Sequence, residues 1–72
     1  DGVKDVTHIQ KAIDQLPDGY KTVFCLYVME DYKHKEIADM LNIDVGTSKS
    51  QLYKARKMLK EHLQNMNLKQ TL

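Results

Sequence analysis

The stretch from Asp44 to Lys60, D-V-G-T-S-K-S-Q-L-Y-K-A-R-K-M-L-K, narrows the possible folds more than any other. After a candidate N-cap, Asp44, it holds five basic residues and no acid. At about 100° per residue, Ser48, Leu52, Ala55, Leu59 and Leu63 fall on one narrow stripe. Lys49, Tyr53, Arg56, Lys57 and Lys60 occupy the adjoining arc, with Ser50 and Lys54 just beyond. Such a helix packs one face on a core and turns cationic and hydrogen-bonding groups outward. A helix of that kind suits phosphates and a DNA groove.

The rest of the chain must supply that core within 72 residues, which allows one domain at most. A core of this size is marginal, and short-looped helices are its easiest solution. The single proline, three glycines and scarcity of strand-like alternation point to an all-α domain. Net charge is only +1, but it is unevenly spread. Residues 1–45 carry five lysines against nine carboxylates, and residues 46–72 carry six basic residues against one. Basic charge gathered on the last helix is the footprint of a nucleic-acid reader. A plain solvated face is the simpler alternative, and mixed Lys and Glu would suit that better than this one-sided run.

Cys25 is the sole cysteine, so neither an internal disulfide nor a C-x-x-C metal pair exists. This fits the cytoplasm. No run approaches the roughly 18 apolar residues of a membrane helix, and no signal-peptide pattern is present. The chain begins on Asp1 rather than Met and is read as a fragment or a processed chain.

In chain order, residues 1–6 resemble the end of a linker. Thr7 should cap a first helix with Ile9, Ala12, Ile13 and Leu16 inward. Pro17 ends it and can begin the next. The second helix should run from Asp18 to Met29, bury Tyr20, Val23, Phe24, Tyr27 and Val28, and be the most buried. Cys25 is expected to be a core residue. A third helix should span Lys33 to Leu41, with Ile37, Ala38 and Leu41 inward and Met40 partly exposed. Lys33 cannot accept a backbone N–H, so that helix should start differently or be capped by Asp31. Asn42-Ile43-Asp44 then reads as a turn residue, an apolar plug and an N-cap. Two helices joined so tightly form a helix-turn-helix. The fourth helix should begin near Val45 and reach about Gln64, leaving residues 65–72 as a frayed tail.

Several pieces together resemble region four of bacterial sigma factors, nearest the extracytoplasmic-function type. They are Leu16-Pro17, Val23-Phe24, Glu36-Ile37-Ala38, Leu41, Ile43, Gly46-Thr47-x-Lys49-Ser50 and Ala55-Arg56-x-x-Leu59. The resemblance covers Ile9 to Leu63. It implies a small four-helix domain of the winged-helix-like DNA-binding superfamily that binds the promoter minus-35 element and is not an enzyme. It also implies a surface for the flap of the RNA polymerase beta subunit, an anti-sigma factor as inhibitor, a monomeric state and no cofactor. Region two is absent from these residues, so the chain alone should not start transcription. By position, Lys49, Ser50, Tyr53 and Lys54 correspond to base-contacting residues. Thr47 and Arg56 correspond to phosphate-contacting ones; Lys33 and Lys35, at the start of the third helix where the dipole favours an anion, and Lys57 are further candidate phosphate contacts. Ser48 stands where the family often has a hydrophobic residue, and its hydroxyl is expected to bond back to a backbone carbonyl. Gln51 stands where Arg is frequent, which removes one phosphate contact.

Other readings stay open on the residues alone. A response-regulator output domain shares E-I-A and the turn, though Ala55-Arg56-x-x-Leu59 favours the sigma pattern. A helical protein-interaction module would use the basic face for an acidic partner. His8, His34 and His62 lack metal-ligand spacing and are expected at surface or interface positions. Glu30, Asp31, Glu36 and Asp39 read as solvated carboxylates, with Glu36 a candidate partner for a base on the fourth helix. Met29, Met40, Met58 and Met66 read as core or partner-facing filler.

Overall fold

A computed structural model describes the backbone of residues 5–71 and the side chains of residues 9–65. The linker reading of residues 1–4, the side chains of Thr7, His8 and Met66, and Leu72 lie outside the described residues. Among the described residues four α-helices follow one another: α1 (Asp5–Asp14), α2 (Asp18–Phe24), α3 (His34–Leu41) and α4 (Val45–Thr71). A π-helical turn, Cys25–Met29, continues α2 directly. No strand occurs among the described residues.

The α1 helix already includes Asp5, so it starts ahead of the expected cap at Thr7. It buries Ala12 and Ile13, with Leu16 just beyond its end. Ile9, expected inward, is 40% exposed because the core ends one turn later. Pro17 sits at the N-cap of α2 with φ −56° and ψ 150°. Its fixed φ suits the approach to a first turn, where the missing N–H removes no helical bond.

The second helix has the expected extent but not the expected regularity. From Cys25 it widens, and the Glu30 N–H bonds the Cys25 carbonyl five residues back at 3.0 Å. A wider turn changes the angular step per residue, so a 3.6-residue stripe loses its phase. Val23 and Phe24 are buried, Tyr27 is half-buried, and Val28 turns out to solvent. The expectation that Val28 is core is therefore wrong, and this is not the most buried helix throughout. Cys25 is half-buried against the core.

The α3 helix starts one residue later than expected, with Lys33 as an extended N-cap. Its side chain cannot accept a bond, but the Glu36 carboxylate takes the Lys33 backbone N–H at 2.8 Å. That is the reciprocal half of a capping box. It replaces the expected pairing of Glu36 with α4. Asp31 does not cap the helix but turns the chain with φ 64°, a conformation short polar side chains tolerate.

Asn42 closes α3 in the left-handed region, φ 58° and ψ 48°, as the turn residue expected there. The Ile43 N–H returns to the Ala38 carbonyl at 2.9 Å, a Schellman-type closure. The Asp44 carbonyl then accepts the Ser48 N–H at 3.0 Å, opening α4. This helix packs against α1, α2 and α3. It continues to Thr71, past the end suggested by Asn65 and Asn67, whose propensities are only a weak prior. Ile37, Ala38, Leu52 and Ala55 join Leu16, Val23 and Phe24 in the core. Small side chains at Ala38, Ser48 and Ala55 let the crossed helices approach closely.

Candidate nucleic-acid interface

Burial divides α4 along the arc its sequence marks. Ser48 and Ala55 are wholly covered, Leu52 is 5% exposed, and Leu59 and Leu63 are half-buried. On the opposite side Lys49, Ser50, Tyr53, Lys54, Arg56, Lys57 and Lys60 are all exposed. Tyr53, at 69% exposure, contributes almost nothing to the core. Thr47 is half-buried in the first turn, while Lys33 and Lys35 are exposed at the start of α3.

The structure brings some of these residues together. Tyr53, Arg56, Lys57 and Lys60 line one shallow surface cleft of about 330 Å³. The Arg56 guanidinium lies 5.9 Å from the centre of the Tyr27 ring, within cation–π range. Ser50 and Lys54 stand on the next arc and line no part of that cleft. An exposed aromatic among cations can offer base-stacking or methyl contact beside phosphate contacts.

Two contacts were not foreseen. The Ser48 hydroxyl does not bond back to a carbonyl; it meets His34 Nδ1 at 2.8 Å. The His34 ring stacks on Tyr27, with centroids 4.4 Å apart and planes 20° from parallel. His34 therefore joins the π turn to α4 instead of standing free at the surface. Burial, and then the positive charges of Lys49 and Arg56, hold its pKa below the ordinary 6.5. A buried hydroxyl on an apolar stripe was the available signal, since it requires a partner. Gln51, which stands where Arg is frequent in the family, does not join the exposed arc. It is half-buried toward α2, where a Cβ on Gly19 would come within 3.4 Å of its Oε1.

No group of three or more His, Cys, Asp or Glu suited to a metal ion occurs among the described residues. His62 is half-buried, and its Nε2 finds no hydrogen-bond partner among the described residues. No helix among the described residues is long and apolar enough to cross a membrane.

Comparison with known proteins agrees with this geometry. The family described as sigma-70, region 4 matches residues 8–59. The chain is 38% identical to the RNA polymerase sigma factor SigV of Bacillus subtilis (strain 168) over 68 residues, 94% of this chain and 40% of SigV. It is also 38% identical to the ECF RNA polymerase sigma factor SigW of the same organism, over 81% of this chain and 31% of SigW. Against the ECF RNA polymerase sigma-E factor of Haemophilus influenzae, identity is 33% over 74% of this chain and 28% of that protein. The chain thus spans less than half the length of each of these relatives. No solved structure gives a significant match. A family match across most of the helix-turn-helix, and relatives that are sigma factors throughout, place this chain in the sigma-70 region 4 family.

Proposed function

We propose that the chain is the promoter-reading module of an extracytoplasmic-function sigma factor and binds the minus-35 element through α4. The observation that carries this reading is the division of α4 into a buried stripe and an exposed arc rich in cations. In the major groove, Lys49 and Lys54 donate to guanine O6 and N7, Ser50 bonds either partner, and Tyr53 packs on a thymine methyl. Arg56 and Lys57 meet phosphates further along the helix, and Arg can do so in bidentate fashion. Thr47, Lys33 and Lys35 meet the backbone where α3 and α4 begin, where helix dipoles favour anions.

The same reading gives the module further partners. It works with RNA polymerase core, through the beta-subunit flap, as part of a longer factor that directs transcription initiation in the cytoplasm. An anti-sigma factor is the expected inhibitor, and the isolated module is a monomer. Fluorescence anisotropy tests DNA binding, with a duplex whose six-base-pair site the chain selects from a randomised pool. Four cationic phosphate contacts predict a slope of about −4 in log K against log salt. A slope near zero, or a failure to select any sequence, would overturn the reading. Strong binding to an acidic protein with no DNA affinity would instead identify an interaction module.

A further inference from the structure

We propose that His34 is a positioning residue for DNA reading: through Ser48 and Tyr27 it fixes the rotation of α4 about its own axis. This rests on the reading of α4 as the DNA-contacting helix. Ser48 has no exposed surface, so its hydroxyl needs a partner within the protein. That partner is His34 Nδ1, 2.8 Å away and fourteen residues earlier. The imidazole is held in turn by its stack on Tyr27 in the π turn. A directional bond therefore spans the α3–α4 junction at a point where the packing is otherwise made of small or apolar side chains. Leucine and alanine contacts resist separation of the helices but are non-directional, and they tolerate small rotations.

The next residue after Ser48 is Lys49, and Ser50, Tyr53 and Lys54 follow within two turns. With a helix radius of about 5–6 Å including side chains, a 10° rotation displaces their tips by roughly 1 Å. Hydrogen bonds to base edges weaken steeply over that distance. Contacts from long cationic side chains to phosphates carry no sequence information and adapt more readily. Loss of the His34–Ser48 bond therefore lowers discrimination between sequences more than it lowers general DNA affinity.

The test compares the selected duplex with the same duplex carrying a scrambled site. It uses the wild-type chain, Ser48→Ala, His34→Phe, the double variant and His34→Asn, with thermal melts of each. His34→Phe keeps an aromatic ring for the stack and removes Nδ1, whereas Asn keeps a polar atom near the Nδ1 position. The expected result is a loss of selected-site affinity of about fivefold to tenfold for Ser48→Ala and His34→Phe, the scale of one hydrogen bond. Scrambled-site affinity stays nearly unchanged, the double variant loses no more than either single, and Asn recovers most of the preference. Equal losses on both duplexes, additive losses, or unchanged preference would overturn the proposal. A lowered melting temperature with an intact preference would do so as well, because it describes a merely structural role. Ser48→Ala remains a valid arm if His34→Phe does not fold. If the wild-type chain selects no sequence, the DNA reading fails with it; if only the variants match wild type, the positioning role alone fails.

Discussion

The inner and outer faces of α4 share one backbone and almost nothing else. The inner face is small and close-fitting, with Ser48 and Ala55 fully covered on either side of Leu52. The outer face carries long side chains, and Tyr53 there is 69% exposed. The first face determines where the helix sits, and the second determines what it can hold. Substitutions should therefore separate into those that alter melting and those that alter binding.

The greatest expected effect falls on the outer face. Reversing Lys49 and Lys54 to Glu together removes two groups assigned to base edges, each worth about 1–3 kcal/mol. Selected-site binding should fall by about 2–6 kcal/mol, while the salt slope, set by the four phosphate-contacting cations, should stay at about −4. Melting should barely move, since exposed substitutions usually stay within about 0.5 kcal/mol. An equally large loss of stability would break the division between the faces.

Leu52→Ala probes the inner face. Deleting a buried leucine side chain costs about 2–5 kcal/mol, and a domain this small has little stability to lose. Urea unfolding should shift to a clearly lower midpoint, while the fraction that remains folded binds DNA as before. A normal midpoint with altered binding would place Leu52 on the wrong face.

Gly46 offers a sharper separation. A Cβ there meets nothing within 4 Å, so Gly46→Ala should stabilise the free chain by about 0.4–1 kcal/mol. If a phosphate approaches that first turn closely, the same methyl weakens binding. Thermal melts and anisotropy on one preparation would show the two effects with opposite signs.

The smallest effect is pH-dependent. His34 has a depressed pKa in the folded chain, caused first by burial and then by Lys49 and Arg56. Tyr27 is its other neighbour, from the π turn. Above pH 6.5 the imidazole is neutral both folded and unfolded, so its full contribution to stability is present. As pH falls from 6.5 through the lower folded value, the unfolded chain takes up the proton first and stability declines. Melting curves from pH 7.5 to 5 should show this component in wild type and lose it in His34→Asn.

Much of the separation was already visible in the sequence. Ser48, Leu52 and Ala55 at helical spacing mark the inner face, and Tyr53 lies off that stripe. Asn42 also signals the left-handed turn, because short polar side chains tolerate that conformation. The His34–Ser48 bond was less accessible, since its partners are fourteen residues apart and meet only when α3 crosses α4. Val28 misled for another reason: a 3.6-residue pattern assumes an α-helix, and Cys25–Met29 is not one. Gln51 was legible only as a lost cation; that it lies beside Gly19 of α2 follows from the packing of α2 on α4.

The π turn also gives the chain uneven tolerance to changes in length. It lies at the end of its helix and is followed by residues 31–33, which belong to no helix, so its spare residue is confined to one place. A one-residue deletion there is expected to restore an ordinary α-turn and leave the registers of α3 and α4 untouched, at the cost of the Tyr27 platform under His34. The same deletion early in α4 would rotate every later side chain by about 100°, exchanging the covered stripe for the charged arc. Insertions and deletions should therefore be tolerated far better between Cys25 and Met29 than between Val45 and Leu59.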